Sequence, residues 1–487
     1  MIPVGEWLPD LPVFQNPGAT EALNVRPAAK SYRPLPDLAA VSDALTARAQ
    51  GAASIRGIAG AVGNFGGDAT KLYKLGSSNT YDDVSRTVGG AYATAATGGW
   101  SFAAFNDDVM AVNGVDAAQV YTVGSSTDFA ALAGTPPVAR FVAVVREFAV
   151  MLQVSGAKNR AQWSAFGDNR DWVASATTQS DEQDLPDGGQ IMGGVGGEFG
   201  VIFQERAIRR MTYVGPPTIF QFDKIAVDLG CPCENAIAAW GGNIFFPTFD
   251  GFMLLQGGQA ITPIGDGKVD RYFWANVDQT YLDRVTATVD PIEKMYVVSY
   301  PTAAGAGTPN SLLFFHWPTG KWSRGEINME MLFPAMSAQS YTLEDLDTLF
   351  ATLELTTPSL DSPFWTGSGR FVLAAFTTAH RLGLFSGDNL APTVETGEFQ
   401  LYPGRRALIR GARPIADGGT LSLALGTRNR TVDAVSWGSA TAQNSDGFVP
   451  LRSDARYHRG RLTVAAGGVW NHIQGIDEIL ARPSGSR

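Results

Sequence analysis

An aromatic mark that returns at near-constant spacing constrains this chain more than any other feature. From Ser54 onward the marks are Tyr81, Phe129, Trp172, Phe220, Phe273 and Trp322, at intervals of 43 to 53 residues. A period of that length signals repeated supersecondary units, and four short strands per roughly 45 residues is the arithmetic of a propeller blade. One unit reads Ala139-Arg-Phe-Val-Ala-Val-Val, Glu147-Phe-Ala-Val-Met-Leu-Gln-Val, Arg160-Ala-Gln-Trp-Ser and Asp171-Trp. The next reads Gln190-Ile-Met-Gly-Gly, Gly200-Val-Ile-Phe-Gln, Ala207-Ile-Arg-Arg-Met-Thr-Tyr and Ile219-Phe-Gln-Phe. A lone four-stranded sheet cannot bury both faces. Stacked radially, each sheet covers its neighbour, and the aromatic fills the gap between them. Six clear units and a seventh ending near Gly397 predict an all-β fold. Its centre is a β-propeller of about seven blades, with six or eight also compatible. Stacked β-sandwiches would not produce so steady a spacing.

The flanks differ from the repeat. Residues 1–50 read as an extended N-terminal arm, because prolines at 3, 9, 12, 17, 27, 34 and 36 forbid a long helix and remove ladder donors. A short helix is expected across Leu38–Gln50, capped by Asp37 or Ser42. Trp7, Leu8, Leu11, Val13 and Phe14 are anchors that must cover this chain or a neighbour. Residues 51–397 are the propeller. From 398 to 487, alternating runs such as Leu421-Ser-Leu-Ala-Leu and Gly460-Arg-Leu-Thr-Val, with turns at Asp417-Gly-Gly and Asp446-Gly, predict a compact β-sandwich.

Charge separates the parts. The chain carries a net charge of −10, yet from Gly404 to the end there are twelve arginines, no lysine and six acids. A mildly basic end is therefore joined to an acidic body. Arg405, Arg406, Arg410, Arg413, Arg428, Arg430, Arg452, Arg456, Arg459 and Arg461 are either scattered surface ion pairs, each contributing little, or one docking face for acidic partners. With Trp7 and Phe14 they form the candidate interface set.

Chemistry is scarce. No Gly-x-Ser-x-Gly elbow or Walker loop occurs. Gly193-Gly-Val-Gly-Gly is followed by a strand, so it reads as a blade turn and not a phosphate cradle. Ser164-Ala-Phe-Gly-Asp-Asn-Arg-Asp-Trp172 superficially resembles a sialidase Asp-box, but it lacks the acid at the third position and occurs once. His316 lies on an apolar strand as a core residue. Cys231 and Cys233 are too few for a disulfide scaffold, and the four histidines lie far from them, so no zinc site is expected. No cofactor, no metal and no catalytic group are expected. Met1-Ile-Pro-Val-Gly-Glu-Trp has neither a basic nor an apolar leader region, and no apolar run reaches membrane-spanning length.

Several segments resemble the tail nozzle, or tail hub, proteins of short-tailed bacteriophages. They include Gly67-Asp-Ala-Thr-Lys-Leu-Tyr-Lys-Leu with Tyr81-Asp-Asp-Val-Ser, and Trp163-Ser with Asp168 and Trp172. Phe203-Gln-Glu-Arg-Ala-Ile-Arg-Arg-Met-Thr-Tyr and Phe245-Phe-Pro-Thr-Phe-Asp-Gly-Phe follow. Toward the end come His380-Arg-Leu-Gly-Leu-Phe-Ser-Gly, Gly426-Thr-Arg, Asp454-Ala-Arg-Tyr-His-Arg-Gly-Arg-Leu and Trp470-Asn-His-Ile-Gln-Gly. The resemblance covers nearly everything from Ser54 onward and rests on order and spacing more than on one motif. It implies a virion structural protein, made in the host cytoplasm and assembled into a hexameric ring below the head–tail adaptor protein. In that family the arm and sandwich form a platform facing the adaptor, and the propellers surround the exit channel. The ring retains the packaged genome and then conducts double-stranded DNA without reading its sequence; an acidic wall would let phosphates slip past. This chain shows none of the long insertions that narrow the tip in some members, which implies a separate plug or needle protein, alongside tail fibres. The alternatives are a propeller that binds receptors or carbohydrates, an interaction scaffold and, third, a propeller glycosidase.

Overall fold

The computed structural model describes residues 2–58, 60–76, 78–336 and 371–485. Six four-stranded antiparallel meanders follow one another at 51–83, 101–131, 139–184, 191–227, 238–263 and 286–325. A seventh sheet takes Met331–Met336, Phe371–Phe376 and Arg381–Asn389 and is completed by Pro36–Ala44. First strands of neighbouring blades pack together at six of the seven junctions, including those of blade seven with blades six and one, and blades four and five meet through the Phe203 and Phe246 rings at 4.9 Å. The ring therefore closes. The protein is an all-β, seven-bladed propeller with an N-terminal arm and a C-terminal sandwich.

The short helix expected across Leu38–Gln50 does not form. Its Ala- and Leu-rich sequence has helical propensity. However, the third strand of blade seven leaves an open row of backbone groups, and Pro36–Ala44 satisfies it, pairing Ala40 with Gly383 and Leu38 with Phe385. The same segment fastens blade seven to blade one, because Asp43 Oδ1 accepts the Tyr81 backbone N–H at 2.7 Å.

The periodic aromatics are the inter-blade filling. Phe129, Phe273 and Trp322 are at most 1% exposed, and Tyr81, Trp172 and Phe220 at most 8%. Tyr81, Phe220 and Trp322 stand on outer strands, whereas Trp172 sits in a loop and Phe273 on the helix Asp270–Asn276. Trp322 also donates its Nε1–H to the Ile264 carbonyl at 2.9 Å, tying blade six to blade five.

Glycine serves the axis, where inner strands converge. A Cβ on Gly51 would lie 2.5 Å from the Trp100 carbonyl oxygen, and one on Gly196 would lie 2.0 Å from that of Val144. The run Gly193-Gly-Val-Gly-Gly, expected as a turn, begins on the inner strand Ile191–Val195 and only then turns.

The sandwich is grafted onto blade six. The outer strand Lys321–Gly325 is joined in parallel by Glu21–Leu23, which pairs with Thr393–Glu395, then Tyr457–Val464, then Leu421–Arg428. A second sheet runs Val25–Pro27, Tyr32–Pro34, His472–Pro483, Ala407–Asp417 and Val449–Ala455. Leu421, Leu423, Leu462, Ile473, Ile476 and Val449 fill the space between the two layers. At the graft Arg324 grips Glu21 with two parallel bonds of 2.8 and 2.9 Å, the strong fork geometry.

Candidate functional site

Among the described residues, polar side chains gather at the mouth of the propeller axis and on the sandwich surface, among other places.

At the axis, the first strands and their preceding loops enclose a cavity of about 230 Å³. Arg48, Arg140, Glu234, Asp283, Arg284 and Glu330 line it. Most precede an inner strand by one to four residues, so charged residues at the start of five of the seven repeats were the signal that sequence reasoning missed. Three of these groups are held by partners from other blades. Arg140 pairs with Glu234 at 2.8 Å and donates to the Gly99 carbonyl at 2.8 Å. Glu330 accepts from the Ala49 N–H at 2.9 Å and meets His380 Nδ1 at 2.5 Å. Burial raises the Glu330 and Asp283 carboxyls above the usual carboxylate range and lowers Arg48, which also feels Arg284. Arg140, Glu234 and Glu330 thus brace blades against one another around the axis, whereas Arg284 Nε is buried without a hydrogen-bond partner and Asp283 has no cation within ion-pair distance among the described residues.

Other sequence candidates fall into place as structure. Cys231 and Cys233 are buried free thiols; Cys231 Sγ meets the Cys233 carbonyl at 3.2 Å, and burial pushes its thiol up to about 12. Trp172 donates to the Asn169 carbonyl at 2.8 Å inside a loop packed between blades two and three. His316 is held by the Thr319 hydroxyl at 2.7 Å. Among the described residues no group of three His, Cys, Asp or Glu side chains could hold a metal ion.

The candidate interface residues divide three ways. Trp7 is covered by its own chain: it is 1% exposed and meets Tyr272 edge-on at 5.0 Å, because the arm folds back over the helix Asp270–Asn276. It is not a surface anchor. Phe14 is on the surface, 56% exposed, with one edge against Tyr457.

The arginines do not share the single face expected of them. On the outer side of the sheet grafted to blade six, Arg428 holds Glu398 through bonds of 2.7 and 2.8 Å, and Arg459 approaches the same carboxylate at 3.7 Å. Arg461 pairs with Glu395 at 2.7 Å, its guanidinium 3.8 Å from the centre of the Trp437 ring. Here the strand Thr393–Glu395 and the turn after it deliver Glu395 and Glu398 beside the Tyr457–Val464 strand, so charge is cancelled locally. Arg430 is engaged by Asp433 at 2.8 Å. The second sheet is different. Arg410, Arg413 and Arg452 are exposed on its outer side with Arg482, which the sequence reading left out. The strand pairing places Leu408 opposite both Asp454 and Arg482. Arg413 has Glu478 at 3.4 Å and Arg406 has Asp454 at 3.5 Å. Among the described residues Arg405, Arg410, Arg452, Arg456 and Arg482 have no carboxylate within ion-pair distance. Leu480, 53% exposed, lies on the same strand as Arg482.

One buried group in the sandwich titrates. His458 is fully buried, stacks on Phe399 at 5.9 Å, and neither ring nitrogen has a partner. Burial pushes its pKa down to about 4. The unfolded chain takes up a proton near 6.5 that the folded chain refuses until about 4, so stability is lost as pH falls across that window. The loss amounts to about 3 kcal/mol. Asp270, raised to about 6 by burial, has the opposite slope. A difference between wild type and variant removes that common slope. The expectation is that His458→Phe melts progressively higher than wild type as pH drops from 7 to 4.5. Parallel melting curves for the two proteins over that range would contradict it.

No protein-family model matches the chain, and no curated protein matches it. Among solved structures it is similar to the Pan2 WD40 domain of Neurospora crassa, at 7% identity and a TM-score of 0.41, covering 74% of this chain and 96% of that one. BamB from Moraxella catarrhalis is 10% identical with a TM-score of 0.33, covering 74% and 92%. SapL1 lectin in complex with alpha methyl fucoside is 12% identical with a TM-score of 0.32, covering 61% and 92%. Such distant likenesses say nothing about what this chain does; its architecture is read from its own sheets.

Proposed function

We propose that this chain is a structural subunit of a short phage tail, forming the nozzle ring below the head–tail adaptor and surrounding the path of the exiting DNA. The observation that carries the reading is the sandwich joined to blade six by the backbone pairing of Leu23 with Arg324 and by the Arg324–Glu21 fork, with unpaired guanidiniums on its outer side. A subunit that must transmit load between an adaptor and a tube wall needs such a stiff joint and a surface for permanent contacts. The bracing of blades by Arg140, Glu234 and Glu330 at the axis is compatible with a wall. The resemblance of the repeat and the sandwich to nozzle proteins supplies the assignment to a virion, with plug, needle and fibre proteins as further partners.

Purified full-length chain examined by negative-stain microscopy and mass photometry should form closed rings, alone or with its adaptor. Each contact should bury about 2,000 Å² or more. A chain that stays monomeric at all concentrations and with adaptor present would sink the proposal. A second reading, a carbohydrate-binding propeller, is favoured by Trp240. This ring is 41% exposed beside a cavity of about 350 Å³ between blades four and five that Phe199 also lines. Glycan-array binding that disappears in Trp240→Ala would favour that reading.

A further inference from the structure

The propeller is charged asymmetrically about its own disc. The sandwich is attached to blade six, and the arm that feeds it closes blade seven. In a closed ring of seven, the blade opposite the junction of six and seven is blade three, three steps away in either direction. The outermost strand of blade three is Asp181-Glu-Gln-Asp184, with every residue exposed. Arg160 answers Glu182 at 2.6 Å and Asp184 at 2.7 Å, so one guanidinium serves two of the three carboxylates, and Asp181 has no cation within ion-pair distance. At the other end of the molecule stand Arg410, Arg452 and Arg482, with no internal counter-charge.

We propose that copies of this chain join head to tail, the outer arginine face of one sandwich docking on the acidic edge strand of blade three in the next copy. This deepens the ring reading above and rests on it. Three physical points carry it. A cyclic ring with more than two members needs a heterologous contact, between two different surfaces of the same chain. Each of these surfaces repels a second copy of itself, which disfavours a two-fold pair, and each attracts the other. An exposed edge strand is also a pairing hazard that charge keeps closed to backbone addition while leaving it open to arginine forks. Exposed Leu480 gives the basic face an apolar contact to bury.

The experiment uses the full chain. Arg410→Glu with Arg452→Glu should raise the concentration at which rings half-dissociate by about ten-fold or more, and so should Asp181→Arg with Glu182→Arg. All four positions are exposed, so melting temperatures should stay within a few degrees of wild type. Combining the two double substitutions should restore rings, since the charges are exchanged across the same contact. The wild-type ring should also loosen with added salt. Wild-type rings that persist unchanged in both double variants would overturn this contact while leaving the ring itself standing. A wild-type chain that forms no ring, alone or with its adaptor, would overturn both. Loss in the double variants without rescue in the combination would also overturn it, since the two surfaces would then meet different partners.

Discussion

A chain lacking residues 1–47 is expected not to reach a folded propeller, although every complete meander from residue 51 onward remains. The deleted segment carries Pro36–Ala44, among the described residues the only strand that covers the open edge of Arg381–Asn389. With it go Leu35, Leu38, Val41 and Leu45, which pack into the clusters shared by blades six, seven and one. Burying four such side chains is worth on the order of 5–9 kcal/mol once partial exposure is allowed for. That rivals the whole stability of a typical domain, about 5–15 kcal/mol. A ring also has no spare end, because an unfastened blade seven exposes blade one as well. Leu45→Asp isolates the clasp from the arm's sandwich strands. Leu45 is 3% exposed in a cluster with Tyr73, Tyr81, Phe333 and Phe376, so a carboxylate there should cost at least about 3 kcal/mol. Urea titration of the full-length variant is the measurement; a midpoint equal to that of wild type would show that the clasp is dispensable.

The second large effect lies in the sandwich. Glu398→Gln should destabilise by about 3–5 kcal/mol, because it strips the counter-charge from two guanidiniums already removed from water. The Glu398 side chain is 3% exposed, and those of Arg428 and Arg459 are 9% and 10%. Arg428 makes both strong bonds, whereas Arg459 Nε has no hydrogen-bond partner and burial lowers its pKa. Arg459→Met should therefore cost less than about 1 kcal/mol, since it removes one buried charge and leaves a satisfied pair behind. The ordering is the test. If denaturation shows Arg459→Met to be the costlier change, the carboxylate is not the centre of this cluster.

Periodicity made the propeller legible. Phe129, Phe273 and Trp322 return at blade spacing because a large ring is needed wherever two twisted sheets leave a gap, and that need repeats once per blade. The sandwich was legible through alternation, as in Leu421-Ser-Leu-Ala-Leu, where one side of the strand faces a core. The clasp was not, because 36–44 lacks a strand's alternation and has a helix former's composition. Nor was the division of the arginines. Arg428 and Arg452 look alike in sequence, but one stands beside the turn that brings Glu398 and the other on a surface without such a turn.

By itself, then, the sequence determined the kind of unit, the approximate number of units and the change of character near residue 400, because each follows from local spacing and composition. Only the tertiary structure decided how the ring is fastened, which aromatics the chain covers with itself, and which charges remain unanswered. Those outcomes depend on pairs far apart in the chain, such as Ala40 with Gly383 or Glu21 with Arg324, and no local pattern records a partner hundreds of residues away.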